Sequence, residues 1–236
     1  MLIAQLYRVV LSYIQRALTS TQVTILSGYF RRLLTPPLPG DGLLIVGFFE
    51  GLLGWSLSWM LVSGQVQTPF GLLESIVLLW LVLTAGIVAV GVTYTAPTVR
   101  RNRIWLVWAG LNTSAAAVNI ATVAGYFPGP LAGIDIVQEF LGFGYWQPWF
   151  LALGLGYLAT AVYNWENPQI RKGERVVYAL TGVVCLVILS PWPGIPVVGQ
   201  QVVFGESLFI VGALLHLVPM GFDVLADVTL ILRQSR

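Results

Sequence analysis

Charge is scarce in this sequence: Asp, Glu, Lys and Arg together make up 9% of its 236 residues, against roughly 25% in a soluble globular domain. Hydrophobic residues reach 57%, so too little polar surface remains to cover a water-exposed globule, and lipid is the solvent the composition implies. Cysteine and histidine are scarcer still, one of each. Cys185 lies in the apolar run 183–188, which excludes a disulfide framework and a cysteine-based metal centre and leaves a small packed hydrophobe. A single histidine, His216, rules out bis-histidine haem ligation within the chain. Gly-x-Ser-x-Gly, a glycine-rich phosphate loop ending in Lys-Ser/Thr, and His-Glu-x-x-His are all missing, and with them the common hydrolase, nucleotidase and zinc-protease signatures. The last apolar segment has no lysine, so a retinal-type Schiff base has no anchor there. Neither a cofactor nor a metal is implied.

Basic residues are also absent from every second gap between the hydrophobic stretches. Six segments are apolar enough over nearly enough length to cross about 30 Å of hydrocarbon as helices: approximately 43–63, 72–95, 104–127, 145–165, 176–191 and 207–227. Arg8, Arg16, Arg31 and Arg32 precede the first segment. Arg100, Arg101 and Arg103 lie between the second and third, Arg171, Lys172 and Arg175 between the fourth and fifth, and Arg233 and Arg236 after the sixth. The other three gaps hold none. Because Lys and Arg in short loops are retained on the cytoplasmic face, an even number of spans with both termini cytoplasmic puts all four clusters on one side. Trp59, Trp146, Trp149 and Trp192 fall near the outer ends and Trp105, Trp108 and Trp165 near the inner ends, as amphipathic rings prefer. Trp55 and Trp80 lie deeper.

The sequence therefore predicts an all-α polytopic membrane helix bundle of six transmembrane helices, preceded by an N-terminal interfacial amphipathic helix. Residues 1–42 form that helix and a linker, and residues 43–236 the six-span bundle. Along 1–19, Gln5, Arg8, Ser12, Gln15 and Thr19 recur at steps of three and four against an apolar remainder, the pattern of a helix lying flat in the headgroup layer. Arg8 and Arg16 interrupt the run where a signal peptide keeps its core uncharged. Leu131, Ile134, Val137 and Leu141 at helical spacing predict a short outer-face helix. The apolar but proline-rich stretch 191–204 reads equally as a re-entrant cap or as a tight loop.

Ionisable groups within a span are costly and are candidates for function. Glu50 lies about two turns into the first span, His216 near the middle of the sixth and Asp223 nearer its inner end. His216 and Asp223 share a helix face, with Pro219 between them to kink the helix and free a carbonyl. Asn112 and Asn119 share a face of the third span; Tyr157, Thr160 and Asn164 share one of the fourth. The candidate intramembrane polar site is Glu50, Asn112, Asn119, Tyr157, His216 and Asp223, in the cytoplasmic half of the bundle and suited to a cation, a proton or a small polar solute. The alternative role for the uncharged residues is hydrogen bonding between helices. Gly47 and Gly51 form a GxxxG pair beside Glu50, and Gly154 and Gly156 thin the fourth span, permitting close helix approach.

Three functions fit these residues: the membrane domain of a small-solute or ion transport system; a non-catalytic structural or accessory subunit of a larger membrane complex; and a lipid-directed membrane enzyme using Glu50, His216 or Asp223 as acid or base, which lacks an accompanying nucleophile or metal constellation. An interfacial N-terminal helix, six spans with both ends inside and an apolar hairpin before the last span resemble, in architecture alone, the membrane subunits of ABC-type exporters. That resemblance implies an ATPase partner, since this chain has no nucleotide site. The expected partners are thus the lipid bilayer, protein subunits and a small polar solute or proton. Nucleic acid is not among them, because the basic residues lie at the headgroup level.

Overall fold

The computed structural model describes residues 19–125, 147–166, 170–189 and 207–234, with the side chains of 73 and 207–209 excepted. The predicted helix at 1–18, the outer-face helix around Ile134 and the stretch 191–204 lie outside the described residues. Those described form helices: α1 (Ser20–Leu34), α2 (Gly40–Val62), α3 (Leu72–Tyr94), α4 (Pro97–Arg100), α5 (Arg103–Val123), α6 (Gln147–Tyr163), α7 (Lys172–Leu189) and α8 (Ser207–Gln234). Apolar side chains such as Phe49, Leu53, Val82, Leu106, Ile120, Leu214 and Leu225 stand on their outward faces, where a soluble fold would carry charge.

Four helices are long and apolar enough to cross a membrane: α2, α3 from Glu74, α5, and α8 from Ile210. Between them, α6 has 17 residues and α7 has 18, or about 26 Å of helix each, short of the hydrocarbon thickness. Lys172, Glu174 and Arg175 occupy the first turn of α7, so its apolar stretch is shorter again. The sequence had started that span at residue 176. In the structure the helix begins earlier because Glu174 accepts the Arg171 backbone N–H at 3.0 Å, capping the first turn.

Helix α1 falls where the sequence reading had only a linker. Its start carries a capping box: the Thr19 hydroxyl accepts the Gln22 N–H, and the Gln22 side chain accepts the Thr19 N–H. Helices α2 and α5 end on Gly64 and Gly125, both with positive φ, the conformation that closes a helix at least cost when no Cβ is present.

Packing runs α2 on α3, α3 on α5, α5 on α6, α6 on α7, α7 on α8, and α8 back on α2, closing a ring. Every neighbouring pair is antiparallel. Gly47 and Gly51 of α2 face Met220 and His216 of α8, while Gly54 receives the ring of Trp80 from α3. Trp105 of α5 sits on Gly91 of α3, Trp108 of α5 on Gly156 of α6, and Trp55 of α2 on Gly212 of α8. Glycine is required at these notches because a Cβ would occupy the space of the indole. Gly154 and Gly182 bring α6 and α7 into backbone contact, the close approach that small residues allow between membrane helices.

The antiparallel order gathers one set of ends. Leu38, before α2, pairs with Thr95, after α3. Arg171, before α7, and Tyr29 of α1 both bind Asp227 near the end of α8. Arg31, Arg32, Arg100, Arg101, Arg103, Lys172 and Arg175 accordingly lie at this common end. Two of them cap helix C-termini: Arg100 donates to the Val92 carbonyl at 2.7 Å, and Arg175 to the Trp165 carbonyl.

Candidate functional site

The ring encloses a chamber of about 570 Å³. Glu50, Asn112, Tyr157, His216 and Asp223 all line it. These five come from four helices and are separated by up to 173 positions in sequence, and the antiparallel register brings them together.

Asn119 is the exception among the predicted site residues. It is 1% exposed, does not line the chamber, and accepts the Trp149 indole N–H at 2.6 Å. Seven residues beyond Asn112 on α5, it stands about 10 Å further along the helix axis, past the aromatic floor. Its amide links α5 to α6.

That floor is a cluster of rings. Trp55 and Trp80 meet edge to face at 5.3 Å between centroids, Trp149 is tilted against Trp80 at 5.6 Å, and the His216 imidazole stacks on Trp80 at 6.3 Å. Phe150 seals the cluster from behind. On the wall, Trp108 meets Tyr157 edge to face at 5.1 Å, and Tyr157 stacks on Tyr178 at 5.6 Å. Trp55 and Trp80, which the sequence placed too deep for the headgroup layer, make this floor. Trp149, Trp105 and Trp108, read as interface residues, also line the chamber, because glycine notches or ring partners hold them inward.

The polar tips of these rings are taken up within the protein. Trp55 donates to His216 Nδ1 at 3.3 Å, Trp80 to the Ser58 hydroxyl at 3.1 Å, and Trp108 to the Thr160 hydroxyl at 3.0 Å. The Tyr157 hydroxyl donates to the His216 carbonyl at 2.7 Å. Pro219 deprives the adjacent Leu215 carbonyl of its helical N–H, and Tyr157 braces the chain at that point. With Nδ1 accepting from an indole, the neutral His216 ring carries its proton on Nε2, and its one ring lone pair is already engaged.

Glu50 is different. No hydrogen bond or ion pair among the described residues engages its carboxyl, which faces the chamber. Asn112 also lines the chamber, but the two are not hydrogen bonded.

Towards the basic end the chamber reaches the exposed residues Asp41 and Asn102. Asp41, Glu174 and Asp227 line this mouth together with Asp223, and none of the lining residues is Lys or Arg. Arg171 stands just behind: its guanidinium binds Glu174, which is 3% exposed, and reaches Asp227 at 2.6 Å. The other Asp227 oxygen accepts the Tyr29 hydroxyl at 2.8 Å. Burial, then the Asp227 carboxylate beside it, raise the ionisation of Tyr29 above the usual phenol range, so it remains a donor. Asp223 accepts from the Tyr178 hydroxyl at 3.1 Å and is in no ion pair among the described residues. Asp227, one turn on, takes Arg171 instead. Asp41, Glu174 and Asp227 were not among the predicted site residues, since in sequence they sit at the ends of apolar runs, where charge is ordinary.

No protein-family model, curated protein or solved structure matches the chain, so its function rests on the chemistry of this chamber.

Proposed function

We propose that the chain crosses the membrane six times with both termini cytoplasmic, and that it is the membrane-domain component of a small-solute or ion transport system whose chamber opens to the cytoplasm. The observation that carries this reading is the chamber itself, about 570 Å³, with the Glu50 carboxyl in its wall and in no hydrogen bond or ion pair among the described residues. A subunit serving only as scaffold would gain stability by filling that volume. A carboxyl held in a membrane bundle without a partner is costly to keep unless it meets a solute or ion.

Six crossings are supported by the outward faces of the two shorter helices. Leu151, Leu155 and Val162 of α6 and Leu180, Val183 and Val187 of α7 are all exposed, and such faces suit lipid. The common end that bears the basic clusters is the cytoplasmic one by charge bias, and the chamber mouth is at that end.

Single cysteines test this directly, because the native Cys185 is fully buried. In right-side-out and inside-out vesicles, Arg101→Cys and Lys172→Cys should react with a membrane-impermeant maleimide from the cytoplasmic side, and Gln67→Cys from the opposite side. Glu50→Cys should react with a water-soluble methanethiosulfonate from the cytoplasmic side. Labelling of Arg101→Cys and Lys172→Cys from opposite sides would overturn the threading, and a Glu50→Cys inert from both sides would overturn the open chamber.

A further inference from the structure

Four classes of occupant can be weighed against the chamber wall. Anions are disfavoured, since Asp41, Glu50, Glu174, Asp223 and Asp227 line the space and no Lys or Arg does. A bare metal ion needs several oxygen or nitrogen ligands converging on one point. Among the described residues no three of His, Cys, Asp and Glu converge in that way. A polyol needs many free donors and acceptors. Here the indole N–H groups of Trp55, Trp80, Trp108 and Trp149 and the hydroxyls of Tyr157 and Tyr178 are all committed to protein acceptors. These six side chains therefore offer ring surface and not hydrogen bonds.

Beyond the mouth, what remains available includes the Glu50 carboxyl, the Asn112 amide, the Thr84 hydroxyl and a group of indole and phenol rings. Glu50 is within electrostatic reach of Tyr157 across the space, and Trp55, Trp80, Trp105 and Trp108 line the same space. Ring faces attract organic cations through their quadrupole, most strongly where water is excluded. The volume falls in the range of roughly 300–1,000 Å³ that takes a drug-sized molecule. We infer that the chamber binds a lipophilic organic monocation, an alkylated or aryl-substituted ammonium or phosphonium, with its charge against Glu50 and its body against the indole rings. The mouth carboxylates Asp41 and Asp223 favour the approach of such a cation from the cytoplasmic side.

This assignment rests on the open chamber proposed above, and the Glu50→Cys reactivity test separates the two. The probe is tetraphenylphosphonium, with tetraphenylborate as an anion of nearly the same shape, each titrated against purified protein in detergent by equilibrium dialysis with empty micelles subtracted. Tetraphenylphosphonium should bind saturably and tetraphenylborate should not. Glu50→Gln should weaken the cation roughly tenfold or more, whereas Glu50→Asp stays within a few-fold of the parent. Trp105→Leu should weaken it several-fold and Trp105→Phe much less, a pair that keeps the test decisive if the Glu50 variants do not fold. Glu166→Gln, on an exposed residue outside the chamber, should change nothing. Equal binding of the two ions, or full affinity in both Glu50→Gln and Trp105→Leu, would overturn the assignment. If Glu50→Cys is reactive while no cation binds, the chamber stands and only its occupant is wrong.

Discussion

The contact between α6 and α7 gives a prediction whose size can be worked from the coordinates. A Cβ built on Gly182 lies 2.8 Å from the Gly154 carbonyl oxygen, 2.8 Å from Leu158 Cγ and 3.0 Å from the Leu158 backbone nitrogen. Carbon contacts relax at about 3.5–4.0 Å, so the helices must part by about 0.5–1 Å. Two of the three atoms belong to the α6 backbone and cannot rotate aside. Overpacking of this kind costs about 1–3 kcal/mol. Alanine also favours a helix over glycine by about 1 kcal/mol, which would mask part of the loss if Gly182→Ala were measured alone. Gly86 of α3 supplies the correction, since nothing lies within 4 Å of a Cβ placed there, and Gly86→Ala gains the same propensity with no clash. The difference between the two variants therefore isolates the steric cost. At about 2–4 °C per kcal/mol for a chain of this size, Gly182→Ala should melt about 2–12 °C below Gly86→Ala in detergent, followed by far-UV circular dichroism. Gly154→Ala should fall between them, because its two nearest neighbours are atoms of the flexible Leu186 side chain, at 2.7 and 2.9 Å. If Gly182→Ala melts at or above Gly86→Ala, the two helices are not in backbone contact and the ring is not closed at this point.

Two further predictions concern the mouth and the floor. Arg171→Gln leaves the buried Glu174 and the half-buried Asp227 without their cation. Full burial would make that loss about 3–5 kcal/mol, but Arg171 and Asp227 are 37% and 34% exposed, which reduces it to about 1–2 kcal/mol. Adding Glu174→Gln should restore part of the stability in denaturant melts, and a double variant no better than the single one would mean that the pair is not coupled. Tyr157→Phe removes the hydroxyl that braces the His216 carbonyl beside Pro219. It should cost about 1 kcal/mol in the same melts while leaving Glu50→Cys reactivity from the cytoplasmic side intact, and loss of that reactivity would show that the hydroxyl shapes the chamber and does not merely brace α8.

Much of the helix layout was legible because lipid imposes a coarse rule. An apolar run near the bilayer thickness must be helical, and arginines, glycines and prolines mark where it stops. Helix α1 also had a readable mark, Thr19-x-x-Gln22, but its polar composition from Ser20 to Thr24 gave no apolar periodicity to draw attention to it. The charged first turn of α7 was missed for a related reason, since hydropathy locates the apolar run and not the helix, which Glu174 extends beyond that run through its own hydrogen bond to Arg171.

Placement among lipids, the run of apolar helices and the gathering of arginines into alternate gaps are properties of composition and order, so the amino-acid sequence determined them unaided. It also marked Glu50 as an anomaly, because a carboxyl in an apolar run is costly wherever the run is placed. Which residues share a chamber was decided only by the tertiary structure. Asn112 and Asn119 are equivalent by helical phase, yet one faces the cavity and the other bonds Trp149, since seven residues carry Asn119 about 10 Å along the helix axis, past the aromatic floor. The tryptophans divide in the same way: amphipathicity alone sends an indole to the headgroups, and it turns inward where a neighbouring helix gives it a glycine notch, as at Gly91, Gly156 and Gly212, or where ring and hydrogen-bond partners hold it, as at Trp149.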